Sequence, residues 1–372
     1  MYKSKKILIV GAGPAGCYLG QLLKKKHYCV EIIEEHSEIG KPIACAGIVG
    51  VNIFNEAKIP LPKSSILNVL NGAVIYYNEE SFVLKRKTAA YVVDRSLFDS
   101  GLSLGLNVHL GTKLLDFKKQ TSKDGYLIET SCGQYSADII VGSDGPNSVV
   151  REIAGLGISK KDFCWGAQYR IKITDPSFKP DMVEVHFYKP FSSFSWIVPE
   201  GADIFRVGSI SDKPMENIRD ILQRRKIKGD IIDKVGGIIP IGFCNSSADN
   251  VALLGDAACQ VKPLSGGGIY FGIKAAEILA QAIFDGKLAD YDKNWKKLFG
   301  NEIKIGLKAK EIIGNLSPKT LASIFNFLKD NSAVIEEVSD FERHSSVILE
   351  FAKNPRAYQI VGNILWDFLK AI

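Results

Sequence analysis

Near the start of the chain, ILIVGAGPAG sets four aliphatic residues directly before Gly11, Gly13 and Gly16. Such a run suits a strand buried on both faces. Gly11 permits a sharp turn, Gly13 lets backbone approach a ligand closely, and Gly16 allows close contact between helix and strand. Ala15, Tyr18, Leu19, Leu22 and Leu23 then recur at helical spacing, and VEIIEE reads as a second strand ending in acids. Strand, glycine turn, helix and strand make a βαβ unit, so this part of the chain is α/β with a parallel sheet. The turn, with Pro14 and Ala15 inside it, presents free N–H groups at a helix start, which suits a dinucleotide pyrophosphate. A carboxylate closing the second strand can accept ribose hydroxyls; VEIIE places Glu34 there, with Glu35 as the alternative.

The remaining composition narrows the class. A chain of 372 residues exceeds one simple core and suggests two to three packed units. The net charge of +6 is mild and unfocused, so nucleic acid is not expected as a partner. Lysines gather in YKSKK, in LKKK at 23–26 and in KNWKKL at 293–298. They read as a solvated face or as a weak attraction to an anionic membrane surface. The seven cysteines (17, 29, 45, 132, 164, 244, 259) are odd in number and form no CxxC pair. That argues against a disulfide framework or a structural zinc and for a reducing, cytoplasmic setting. The five histidines are scattered, so no metal site is expected. No stretch approaches about 18 uninterrupted apolar residues, the length needed to span a bilayer.

Further along, 70–93 reads as short strands around an Asn-Glu-Glu turn, and DRSLFDSGLSLGL as a helix capped by Asp94. The runs WGAQYRIKI, MVEVHFY, FSWIVP and IFRVGSI between 163 and 210 read as an antiparallel sheet. PMENIRDILQRRKI is an amphipathic helix, VALLGDAA a buried strand, and GGGIYFGIKAAEILAQAIF a helix behind it. The expected fold is therefore α/β: a discontinuous Rossmann-like nucleotide domain (1–70, 88–158, 245–286), an antiparallel-sheet substrate domain (71–87, 159–244) and a helical C-terminal region (287–372). The tail carries Ile360, Ile364, Leu365, Phe368 and Leu369 at helical spacing, which serves packing on the body or docking on a membrane.

Two more constellations carry chemistry. IIVGSDGPNSVVR delivers Asp144 and Gly145 at the end of an apolar strand, with Ser148 and Arg151 at a helix entry. VALLGDAA delivers Gly255 and Asp256, and Pro263-Leu-Ser-Gly266-Gly267-Gly268-Ile269 then opens a helix. Free N–H groups at that helix start suit an anion, including a flavin ring charged at N1 and O2.

In order and spacing the three constellations resemble the flavoprotein family of aromatic-ring hydroxylases and their relatives, over residues 1–285. The resemblance implies FAD, with the middle motif near the pyrophosphate and the third at the ribityl chain. Within that group four stretches look like the geranylgeranyl reductase branch. Glu38-Ile-Gly40-Lys-Pro42-Ile-Ala-Cys45-Ala46-Gly47 is similar to a segment that runs past the flavin, continuing into Ile48. Tyr91-Val-Val-Asp-Arg95-Ser-Leu-Phe98-Asp99 matches a pattern whose Arg reaches the cofactor. Gly236-Gly237-Ile-Ile-Pro240 is the third. Phe194-Ser-Trp196-Ile-Val198-Pro199 stands where the branch has Tyr-x-Trp-x-Phe-Pro, a wall of its lipid cavity. Two departures occur in the third motif, where Cys259 and Ser265 replace Gly and Thr. The resemblance also puts Leu114 beside the cofactor.

The resemblance implies saturation of geranylgeranyl double bonds by hydride from reduced flavin N5. Phe194, Trp196, Ile197, Val198 and Pro199 would supply apolar surface. Cys45 is either a small buried residue or a group touching flavin or substrate; with a water, it is a candidate proton donor. Implied partners are a prenylated lipid and an external electron donor: reduced ferredoxin, NAD(P)H or another carrier. A flavin monooxygenase or halogenase, an electron-transfer flavoprotein, and a prenyl-lipid binding protein with structural flavin all share the motifs.

Overall fold

The computed structural model describes residues 5–43, 45–121, 124–173, 178–187, 193–201 and 203–353, with backbone alone at 158–162. The tail helix expected beyond 354 lies outside these residues.

The four aliphatics of ILIV occupy the strand Lys6–Val10, central in a six-stranded sheet. Its order is Ser247–Ala248, Val251–Leu253, Ile139–Gly142, Lys6–Val10, Cys29–Ile33 and Val108–His109. All pairs are parallel except the first, which is antiparallel. One face packs on the helices Pro14–Lys25, Ile269–Phe284 and Tyr291–Gly314 through Ile7, Ile9, Leu19, Phe271, Ile273 and Phe299. The other packs Leu8, Val10, Ile33 and Ile140 against a small antiparallel sheet formed by Leu114–Lys119, Tyr126–Thr130 and Gly133–Ala137. Both faces are covered, which is why the central strands are apolar throughout rather than alternating.

A second sheet has eight strands, in the order Gly229–Cys244, Ile158–Ile173, Ile204–Ile210, Phe194–Gly201, Val183–Phe187, Ile66–Tyr77, Glu80–Val93 and Ile48–Gly50. Two features depart from expectation. Val183–Phe187 pairs in parallel with Ile66–Tyr77, so the sheet is not wholly antiparallel. The 16-residue strand Gly229–Cys244 is largely exposed along its first ten residues, which carry no alternating apolar pattern to announce it. Ile197, Phe205 and Val207 pack on the helix Pro214–Arg224, while Tyr77 and Phe82 on the other face meet Leu321 and Phe325 of the C-terminal helix Pro318–Asp330. Asp94 caps the helix Arg95–Ser103 by accepting from Leu97 N at 3.1 Å, as its position predicts.

No helix among the described residues is long and apolar enough to cross a membrane. His344 precedes the short helix Ser345–Phe351 and is half-buried. Burial, and then the charge of Lys262, push its imidazole down to about 3. The unfolded chain takes up this proton near pH 6.5 and the folded chain does not, so the contribution is intact above pH 6.5 and lost as pH falls toward 3. Acidification from pH 7 to pH 4 is expected to remove about 2–3 kcal/mol of stability through this residue. Urea unfolding at the two pH values checks it: His344→Gln should lose markedly less on acidification than the parent.

Candidate functional site

The first motif is built against the second. Gly11 has φ +100°, and a Cβ there would strike the Ser143 carbonyl; a Cβ at Gly16 would strike the Ser143 hydroxyl. Ser143 Oγ donates to Gly11 O at 2.7 Å and to Val10 O at 3.0 Å, locking the turn. Gly13 is different: a Cβ there would meet nothing within 4 Å. Its lack of a side chain is not required by protein packing and leaves open space at the start of the helix Pro14–Lys25, where Pro14 is the first helical residue. Glu34 accepts from Ala12 N at 2.7 Å and from His36 N at 3.1 Å, so its carboxylate faces the turn. Glu35 points elsewhere, toward Lys113 at 3.6 Å, and is half exposed.

The third motif closes on both. Ala15 Cβ stands 3.5 Å from where a Cβ of Gly255 would be and 3.0 Å from that of Gly272. Arg151 donates to Ala257 O at 2.8 Å and to Pro146 O at 2.7 Å, joining second and third motifs. Asp144 accepts from Ser148 Oγ at 2.6 Å and Val150 N at 3.1 Å; burial nevertheless pushes its carboxyl up. Gly145, at φ +76°, again has nothing near its absent Cβ. Asp256 is half-buried beside the glycine turn, its Oδ1 3.0 Å from where a Cβ of Gly268 would be. Its carboxyl is pushed up by burial, a shift that the nearby Arg95 opposes. Gly266 rests on Ile210 and Ile239 of the second sheet, and Pro263 on Gly306. Gly267 and Gly268 close the turn, and Ile269 begins the helix. Ser265 Oγ is a buried atom with no hydrogen-bond partner among the described residues.

Arg95 joins this loop to the segment around Cys45. It donates to both oxygens of Asp99, at 3.0 and 2.8 Å, and contacts the Cys45 thiol. Burial works to strip its proton, but the Asp99 carboxylate outweighs it and holds the guanidinium charged. Gly40 passes so close to Arg95 and Ser96 that a Cβ would stand 3.0 Å from each. Cys45 Sγ accepts from Gly47 N at 3.3 Å, and Ile48 begins a strand paired with Val92.

The stretch FSWIVP reaches the same place through one residue that sequence reasoning missed. Gln168 donates to the Cys45 carbonyl at 3.1 Å and accepts from Trp196 Nε1 at 3.1 Å. Trp196 lies over Gly208, where a Cβ would collide with the indole, and its ring centroid is 5.8 Å from that of Phe194. Arg206, also missed, donates to Ala46 O at 2.8 Å and Val93 O at 3.2 Å. Glu200 holds it at 3.0 Å and is gripped in turn by Arg170. The only sequence signal for Gln168, Glu200 and Arg206 is a polar residue inside an otherwise apolar strand.

Four of the expected positions, Ile197, Val198, Pro199 and Leu114, are buried in the protein's own packing. Strand alternation sets Phe194, Trp196 and Val198 on one face, and Ile197 and Pro199 on the other. Ile197 packs with the helix Pro214–Arg224, and Pro199 pairs with Phe205 of that same cluster. Val198 is fully buried among Leu70, Ala90, Val92 and Val183. On that face Phe194 and Trp196 remain partly exposed. Leu114 likewise sends its side chain into the core with Leu8, Val10 and Ile33.

Three features fit FAD: the open space at Gly13 and Gly145, the N–H groups of the glycine turn, and the unpartnered Ser265 hydroxyl. Among the described residues no group of three or more His, Cys, Asp or Glu could hold a metal ion.

Comparison with known proteins agrees. Residues 9–47 match the NAD(P)-binding Rossmann-like domain family. The chain is 31% identical to an uncharacterized protein of Methanocaldococcus jannaschii, over 94% of this chain and 95% of that one. It is 30% identical to digeranylgeranylglycerophospholipid reductase 1 of Methanococcoides burtonii, over 90% of each. A solved geranylgeranyl bacteriochlorophyll reductase-like protein from Thermoplasma acidophilum shares the fold, with a TM-score of 0.80 at 22% identity, over 97% of this chain and 99% of that one. At 30% identity over 90% of each chain to a named reductase, this chain belongs to the digeranylgeranylglycerophospholipid reductase family.

Proposed function

We propose that this protein is an FAD-dependent reductase that saturates isolated double bonds in the geranylgeranyl chains of a lipid. The observation that carries the reading is the path Trp196–Gln168–Cys45, which ties an aromatic strand face to the segment expected to run past the flavin. The name of the Methanococcoides burtonii relative supports the substrate class.

When bound in its reduced form, FAD supplies the hydride that one alkene carbon receives. The chain's own residues do the rest. An isolated alkene has no oxygen for a strong acid to grip, so recognition rests on apolar contact and alignment. Phe194 and Trp196 offer that contact. Gly208 leaves room for the indole, and Gln168 fixes its edge. Arg206 and Glu200 hold the backbone at Ala46 in place. A proton must reach the second alkene carbon, and Cys45 Sγ is its source in this reading. The Arg95 guanidinium beside the thiol compensates the negative charge left when the proton departs. An external carrier re-reduces the cofactor, and uptake of a lipid brings the protein into contact with a membrane surface.

Anaerobic titration tests the reading. Dithionite-reduced protein mixed with a geranylgeranylated lipid should recover oxidised flavin absorbance without oxygen. No recovery under nitrogen, with product appearing only after oxygen is admitted, would assign the site to an oxygenase instead.

A further inference from the structure

Lys262 lies between Asp256 and the glycine turn, and its backbone closes that turn from both sides. Lys262 N donates to Gly267 O at 3.0 Å, and Gly266 N donates to Lys262 O at 2.8 Å. Its side chain turns away from solvent and is 6% exposed. The ammonium donates to Glu342 Oε2 at 3.0 Å and to Phe341 O at 2.9 Å, and sits 4.4 Å from the centre of the Phe341 ring. Glu342, 5% exposed, uses its other oxygen to accept from Gly50 N at 3.1 Å. Gly50 ends the strand that follows Cys45, and a Cβ on it would strike the Glu342 carboxylate.

One carboxylate therefore joins two segments that are 80 and 292 positions away from it in the chain. One is the glycine turn of the third motif. The other is the strand that continues the Cys45 segment. Glu342 is itself fixed: its N–H donates to Asp340 Oδ1 at 2.7 Å, and Ser345 N donates to Glu302 at 3.2 Å. The strap 340–345 is thus tied down on both sides of Glu342.

We infer that Glu342, acting through Lys262 and Gly50, is a positioning residue of the cofactor site. It latches the glycine turn to the strand after Cys45 and so sets the width and charge of the space the flavin ring occupies. The inference rests on the flavin reading above. A buried ammonium and carboxylate cost desolvation that a neutral pair would avoid, so the pair is poor evidence of a purely stabilising role. Its location suits a role in geometry and charge instead. With the pair intact the two charges offset each other beside the turn. With the carboxylate gone, an uncompensated ammonium stands beside the glycine turn whose N–H groups would hold the anionic reduced flavin.

Two variants separate position from mere stability, and neither readout needs a prenyl substrate. Apoprotein is reconstituted with FAD, and both the dissociation constant and the midpoint potential of the bound flavin are measured beside the thermal unfolding midpoint. The double variant Lys262→Met/Glu342→Gln removes both charges together, so it should fold and melt close to the parent, yet bind FAD about tenfold more weakly because the latch is open. Glu342→Gln alone should raise the flavin potential, since the remaining positive charge favours the anionic reduced ring. Wild-type FAD affinity in the double variant, whatever its melting temperature, would overturn the inference. So would a Glu342→Gln protein that holds flavin at the parent potential. A parent that binds FAD but leaves prenyl chains untouched would sink the catalytic reading and leave this test intact.

Discussion

Arg95→Met is expected to lower folding stability by about 3–5 kcal/mol and to leave the purified protein without flavin. Asp99 is 2% exposed and receives two hydrogen bonds from Arg95, so the substitution strands a buried carboxylate. The same guanidinium opposes the upward push on the Asp256 carboxyl and contacts the Cys45 thiol. Removing it unsettles the third motif and the Cys45 segment together. Guanidinium titration and the visible absorbance of the purified protein give the two readouts. Arg95→Met/Asp99→Asn no longer buries the orphan charge and should regain much of the stability while remaining poor in flavin. A single variant within about 1 kcal/mol of the parent would mean that solvent reaches Asp99 and that the pair is a surface interaction.

Trp196→Ala should behave in the opposite way, keeping FAD and losing turnover. The indole is partly exposed, lies over Gly208 and reaches Gln168 through its N–H, while Gln168 and Arg206 still hold the backbone at Cys45 and Ala46 without it. Flavin content and spectrum should be preserved. Reduction of a geranylgeranylated lipid should fall about 100-fold, the scale that misplacement of a reacting group by about 1 Å carries. Single-turnover reoxidation of the reduced flavin by lipid is the measurement. Full activity in this variant would return the FSWIVP stretch to ordinary core.

These two residues also show what the sequence could reveal. Gly11, Gly13, Gly16, Gly145 and Gly266–Gly268 were legible because local backbone demands fix their identity: a positive φ, a close approach, a helix start. Asp94 was legible for the same reason, as a cap three positions before the N–H it receives. The Phe194–Pro199 stretch was only half legible. Its apolar character was plain, but alternation and the partners across the sheet decided that Val198 is sealed in the core and that Pro199 faces the helix side. The strand Gly229–Cys244 was hidden because an exposed edge strand needs no apolar alternation, and Gly236 and Gly237 argue locally for a loop. Gln168, Glu200 and Arg206 show in the sequence only as polar residues inside apolar strands, and Lys262 and Glu342 do not show at all. Each takes its role from partners elsewhere in the chain that its own neighbours do not reveal.

The chemistry itself is tested most directly by the mass of the product. Protein reconstituted with FAD, reduced chemically and kept under nitrogen with a lipid carrying geranylgeranyl chains, should yield lipid heavier by two hydrogens for each double bond reduced, with no oxygen gained. Lipid recovered at its starting mass from flavin-loaded, fully reduced protein, or a product that has gained oxygen on exposure to air, would contradict the account.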